Sequence, residues 1–147
     1  MPEKAARTVL AFDFGLQRIG VAVGEPELGT AHPLQGVVAH TQPGRLTAID
    51  RLVQEWRPSL LVVGRPLGED GAPYEMTRRA ERFARQLNGR FRLPVELVDE
   101  RYSSAEVESR MRASYGSRKA ANLARGKKLD SHAAQIILEQ YFGDKTP

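Results

Sequence analysis

Apolar and polar positions change their period twice along this chain. Residues 9–15 are apolar apart from Asp13 and the final glycine. Val9, Ala11 and Asp13 fall on one side, and Leu10, Phe12 and Phe14 on the other, as in a buried strand. Gly15-Leu16-Gln17 suits a tight turn, and a second strand is predicted over 19–23. A loop of turn formers over 26–30 leads to a third strand over 34–39, so the three can form an antiparallel meander. The period then becomes helical, with Leu46, Ile49, Val53 and Trp56 on one face until Pro58 stops the run. Residues 60–63 form a short, wholly apolar strand, as expected of a sheet covered on both faces. After a glycine- and proline-rich loop over 64–71, Met76, Ala80, Phe83 and Leu87 line a second helix, with Gly89 near its predicted end. A fifth strand covers 95–98. Ser103 and Glu106 have capping-box spacing for a third helix, and 115–125 reads as a loop. Ala133, Ala134, Ile137, Leu138 and Tyr141 share one side of a last helix, closed by Gly143.

The predicted order is β-β-β-α-β-α-β-α-α, an α/β fold with a mixed five-stranded sheet and helices on both faces. Right-handed crossovers make the first, fourth and fifth strands mutually parallel. A length of 147 residues fits one domain, with its core over about 9–142, and no internal repeat is visible. The apolar share of 41% and the charged share of 27% suit a globular chain rather than a disordered one. There is no Cys, which excludes a disulfide framework, a thiolate zinc site and a cysteine nucleophile. No stretch approaches the roughly 20 apolar residues of a membrane span, so a cytoplasmic protein is expected.

The chemistry lies in acids from separate segments. Asp13 stands near the carboxyl end of the first strand, and Asp99-Glu100 follow the fifth. In a parallel sheet these ends share the edge where open α/β folds bind ligands. Asp130 opens the last helix, in register with its buried side. Asp99 as a turn residue, Glu100 as a surface acid and Asp130 as a helix cap are the plain alternatives. Asp13, in an apolar strand, is the hardest to explain without a partner. Carboxylates gathered in a cleft repel one another, and one or two hard cations, Mg2+ or Mn2+, would relieve that cost. Such ions also activate water against a phosphoryl group. On an extended strand Asp99 and Glu100 face opposite ways, and the pattern does not choose between them. His32 and His40 read as surface residues, and His132 as a substrate contact at most. Gly15 and Gly20 make no dinucleotide fingerprint, and Gly64, Gly68 and Gly71 lack the Lys and Ser/Thr of a phosphate loop.

Charge adds a partner. The formal net charge is +4, and 17 of the 22 basic residues are arginine, the better match to phosphate. Arg110, Arg112, Arg118, Lys119, Arg125, Lys127 and Lys128 follow one another with no acid between them. A second group, Arg78, Arg79, Arg82, Arg85, Arg90 and Arg92, contains only Glu81 as a counter-charge. Either group alone could be a solubilising surface; two of them beside an acid constellation favour a polyanion.

Four segments carry a family resemblance. Asp13-Phe14-Gly15 with Arg18-Ile19-Gly20-Val21-Ala22 resembles the first motif of the YqgF/RuvX family. Val63-Gly64-Arg65-Pro66-Leu67 with Asp70-Gly71 resembles the second. Asp99-Glu100-Arg101 with Ser103, Ser104 and Ala105 resembles the third, and Lys128, Asp130, Ala133, Ala134, Ile137, Leu138 and Tyr141 the last. The resemblance implies a fold similar to ribonuclease H and to the resolvase RuvC, with strand order 3-2-1-4-5. It implies a nuclease processing the 5′ end of the pre-16S rRNA, with Asp13, Asp99 or Glu100, and Asp130 as the acidic, metal-binding site. Arg18, Arg65 and Arg101 join the basic segment as expected substrate contacts. Arg65 stands where the family more usually has an apolar residue, and Ser104 where Thr is common. The expected partner is structured RNA, an rRNA precursor or a pre-ribosomal particle, handled by a monomer or weak homodimer. The alternatives are a branched-DNA resolvase, which would need a two-fold dimer for paired cuts, and a non-catalytic ribosome-assembly factor.

Overall fold

The computed structural model describes residues 7–38, 41–100 and 128–145, except the side chains of residues 42, 128–130 and 145. Strand β1 (Val9–Asp13) turns back into β2 (Arg18–Glu25), and β2 into β3 (Thr30–Val38), all antiparallel. Helix α1 (Gln42–Trp56) leads to β4 (Leu60–Arg65), and α2 (Glu75–Phe91) to β5 (Val95–Asp99). Both crossovers give parallel pairings, β1 with β4 and β4 with β5. The sheet order is β3-β2-β1-β4-β5. Helix α3 (Lys128–Lys145) is the last described element. The helix expected from Ser103 and the loop over 115–125 lie outside the described residues.

Alternation along β1 decides what each face of the sheet carries. Leu10 and Phe12 point to the side covered by α1 and α2, where they pack with Ile49, Val63, Phe83 and Leu87. Val9 and Ala11 point to the other side, where they meet Val62, Val98, Ala134, Ile137 and Leu138 under α3. β1 and β4 are covered on both faces, which is why their sequences run apolar until near their carboxyl ends.

The element ends differ from the pattern where sequence punctuation is overruled. β3 starts four residues earlier than the apolar run, because Ala31, His32 and Pro33 already pair with β2. Only Ala31 of these is buried, and Pro33 is tolerated because β3 is an edge strand. Helix α2 continues through Gly89 and ends at Arg92, whose backbone turns left-handed (φ 55°) and whose N–H bonds to Asn88 O. Arg57 ends α1 in the same way (φ 47°), ahead of Pro58. Helix α3 continues through Gly143 to Lys145. A helical glycine costs only about 1 kcal/mol, less than the packing on either side supplies.

Hydrogen bonds among the described residues fasten α3 across the sheet, and three of them mark its path. Gln135 Nε2 donates to Ala31 O (3.0 Å), and Tyr141 OH to Glu96 Oε2 (2.8 Å). Burial, then the neighbouring Glu96, pushes the Tyr141 phenol up to about 12, so it remains a donor at neutral pH. The third bond lies at the helix start, where Val21 N–H donates to the buried Ser131 Oγ (3.2 Å). It coincides with a bulge in the β2–β3 ladder between Ile19 and Val21, where a strand amide can turn to a side chain. Ser131 thus stands over Val21, and Phe142 lies against Gly24. Val21 and Gly24 pair with Phe12 and Val9, so α3 starts at the Asp13 end of β1.

Ser131→Ala would leave the Val21 amide buried without its acceptor, a loss of about 1–3 kcal/mol. Ile137→Ala would open a cavity under α3 and cost about 2–5 kcal/mol. Leu28→Ala, in the exposed β2–β3 turn, should stay within about 0.5 kcal/mol of the parent. Urea unfolding of the three variants checks the ranking; a Ser131→Ala protein as stable as the parent would mean the bond does not hold the helix.

Candidate active site at the carboxyl edge of the sheet

Asp13 ends β1 on the face of Val9 and Ala11, the face covered by α3, and is half-buried. The chain then makes a short return into β2 that leaves no room for a side chain at its corner. A Cβ on Gly15 would overlap the carbonyl oxygen of Arg18. The return is gripped from the opposite layer. Phe14 packs on Phe83 of α2, with ring centroids 5.1 Å apart. Arg45 of α1 lays its guanidinium over the Phe14 ring at 5.4 Å and donates to Leu16 O. Burial lowers the pKa of Arg45, whose side chain serves this loop rather than solvent. Arg18, exposed, opens β2 at the same edge as Asp13.

The second acidic station divides. Asp99 is the last residue of β5 and pairs in register with Arg65, the last residue of β4. Arg65 Nη1 donates to Asp99 Oδ1 at 2.9 Å, and Arg65 Nε donates to Glu81 Oε2 of α2, also at 2.9 Å. These two carboxylates, Glu81 first, hold the Arg65 guanidinium above its usual pKa. Asp99 is therefore tied toward α2. Glu100 continues the ladder by one backbone bond, its N–H donating to Arg65 O (3.1 Å), and its side chain goes the other way. A Cβ built on Gly64 would lie 2.9 Å from Glu100 Oε1 and would overlap Ile137 Cδ1 of α3. The missing side chain of Gly64 is thus the space that Glu100 and α3 share. Gly64 follows Val63, which pairs with Phe12, so this space lies beside Asp13 on the same face.

Asp130 lies in the first turn of α3, next to Ser131 and so at this edge; its side chain is outside the described residues. So is the Lys128 side chain. Arg101, Arg110, Arg112, Arg118, Lys119, Arg125 and Lys127 lie wholly outside them. His132 is buried in α3. Among the described residues no three His, Asp or Glu side chains form a metal-ligand group. The sequence pattern missed three contributors. Glu81 had a signal, being the sole acid among the arginines of its segment. Gly64 showed only as a loop glycine. Arg45, a cation at the start of a helix where the dipole disfavours one, was the oddity that marked a tertiary role.

The comparisons with known proteins fit this frame. A family profile described as "RuvX: Holliday junction resolvase" matches residues 7–144. A protein of Paraburkholderia phytofirmans named "Putative pre-16S rRNA nuclease" is 49% identical over 142 residues, 97% of this chain and 92% of its own. One of the same name from Dechloromonas aromatica is 49% identical over 92% of this chain and 90% of its own. Among solved structures, T. thermophilus RuvC in complex with a Holliday junction substrate superposes with a TM-score of 0.57 at 18% identity, covering 95% of each chain. The Fowlpox virus resolvase bound to junction DNA gives 0.60 at 12% identity, over 95% of this chain and 99% of that one. At such identities the structures share the fold alone, the ribonuclease H-like arrangement. The profile match along nearly the whole length, with relatives close to half identical, makes this chain a member of the RuvX family.

Proposed function

We propose that the chain is a divalent-metal-dependent nuclease acting on pre-16S rRNA in the cytoplasm, with Asp13, Glu100 and Asp130 as its acidic residues. The observation that carries the site is the Glu100 carboxylate in the space left by Gly64, against Ile137 of α3 and on the face of Asp13. The names of the relatives near half identity support the substrate. The donors are oxygens only, in a chain without Cys, and hard oxygen ligands suit Mg2+ or Mn2+. The missing side chain of Gly64 gives the Glu100 carboxylate room on the face of Asp13, and it is this pair of carboxylates that suits such an ion. When bound, the metal would supply Lewis-acid stabilisation of the phosphoryl oxygens and a more acidic water.

The chain's own groups divide the remaining work. Asp13 and Glu100 stand at the ends of the strands either side of β4, and their carboxylates would hold the cation. Arg18 stands at the same edge, suited to a substrate phosphate. Asp99 acts through its ion pair with Arg65, not as a ligand, and Arg65 is committed to two carboxylates rather than to RNA. The grip of Arg45 and Phe83 on the β1–β2 return keeps Asp13 in place as substrate arrives. Arg101 and the basic segment from Arg110 to Lys128 contribute phosphate contacts in this reading.

Single-turnover cleavage of a pre-16S rRNA fragment, with a synthetic four-way DNA junction in parallel and Mg2+ or Mn2+ present, tests the assignment. Asp13→Asn and Glu100→Gln should each slow cleavage by about 100-fold or more, the order seen when transition-state charge loses a stabilising group. Asp99→Asn, which removes a positioning contact, should cost less than about tenfold. Loss at Asp99 with retention at Glu100 would reverse the assignment, and cleavage of the junction alone would make the substrate DNA.

A further inference from the structure

Six arginines lie on or just after α2, and the structure sorts them by their partners. Arg79 bonds to Glu75 one turn earlier (2.9 Å), and Arg90 makes a two-point pair with Asp50 of α1 (2.8 Å for each bond). Arg92 forms the left-handed cap. The remaining three, Arg78, Arg82 and Arg85, are exposed and make no ion pair with any described residue. Their spacing of four and three residues puts them on one helical stripe. That stripe is opposite the buried side made by Thr77, Ala80, Phe83, Ala84 and Leu87.

The acid that would be expected to neutralise the stripe is in position and is used elsewhere. Glu81 stands three residues after Arg78 and four before Arg85, where helical ion pairs form. Its carboxylate is instead drawn under the helix to Arg65. Glu75 is taken by Arg79. Arg78 and Arg82 therefore stand one turn apart as like charges, an arrangement that mildly destabilises a helix. A solubilising surface would be better served by mixed charge. Tyr74, 43% exposed, precedes Arg78 by one turn and presents an aromatic ring at the head of the same row.

We infer that the row Tyr74, Arg78, Arg82, Arg85 is a contact surface for an RNA backbone, with the arginines on successive phosphates and the tyrosine ring against a base. Charge complementarity selects the partner: three guanidiniums without an ion pair among the described residues, at steps of about 6 and 4.5 Å along a helix, match a strand of regularly spaced negative charges. The direction of α2 gives the path. The helix begins beside the carboxyl end of β4, where the Thr77 hydroxyl bonds to Pro66 O, and runs back along the sheet. A strand leaving the candidate active site over the β4 end would meet Tyr74 first and then the arginines in order. The choice of RNA rests on the nuclease reading above; the surface does not.

The test is RNA binding in EDTA, which needs no cleavage. A labelled single-stranded RNA is titrated with the full chain at several salt concentrations. The triple variant Arg78→Gln, Arg82→Gln, Arg85→Gln should bind at least tenfold more weakly. Its slope of log affinity against log salt should be shallower by about 2, three phosphates at roughly 0.7 counterion each. The corresponding triple Lys variant should restore the slope, and Tyr74→Ala should lower affinity with the slope kept. Arg79→Ala, already paired, should bind as the parent does. An unchanged slope in the triple Gln variant, or an equal loss in Arg79→Ala, would overturn the surface while leaving the acidic site standing. A slope that falls as expected in a chain that cleaves nothing would uphold the surface and sink the nuclease reading.

Discussion

Successive side chains of a strand point to opposite faces, and at the end of β5 that rule parts two neighbouring carboxylates. Asp99 goes to the α2 side and Glu100 to the α3 side. What makes the division firm is Arg65, in register with Asp99 at the end of β4 and bonded to both Asp99 and Glu81. The pairs are part-exposed, and such ion pairs contribute little stability in water. Their effect is on direction. With Asp99 held on one face, the next residue is turned to the other, and Gly64 leaves it room.

The rest of the edge is organised to the same end. The β1–β2 return after Asp13 is fixed by a ring contact and a buried arginine from the α1/α2 layer. The start of α3 is fixed on the other face by a strand amide released at a bulge. Two layers that, among the described residues, meet only through the sheet thus converge on one end of it. The core behind them, Val9, Ala11, Val62 and Ile137 on the α3 side, is fully or almost fully buried. It gives the acidic residues a rigid base, which a site needs if its geometry is not to be set afresh by each substrate.

Much of this was legible in the chain. The apolar runs of β1 and β4, broken only near their carboxyl ends, named the buried strands, and the switch from meander to alternating helix and strand gave the fold class. The strand order came with the family resemblance. Asp13 stood out because an acid in such a run needs a reason. The first half of β3 was hidden because His32 and Pro33 look like loop residues, and only the edge position makes them acceptable. Which of Asp99 and Glu100 faces α3 was hidden for a deeper reason. It depends on Arg65 meeting Glu81, 16 residues away, and Asp99, 34 residues away, and no periodicity encodes that. Read alone, Arg65 was a cation beside a cleft, and its charge looked available to RNA. The arginines of α2 looked alike in sequence; only their partners tell the paired ones from the open row.

The central claim is that Asp13 and Glu100 act together on the α3 face. Crystals of the chain grown with Mn2+, measured at the manganese absorption edge, test it without reference to any substrate. The account predicts an anomalous peak between the Asp13 and Glu100 carboxylates, on the α3 side of Gly64. A peak on the α2 side at Asp99, or saturating Mn2+ with no peak at Asp13 and Glu100, would contradict it.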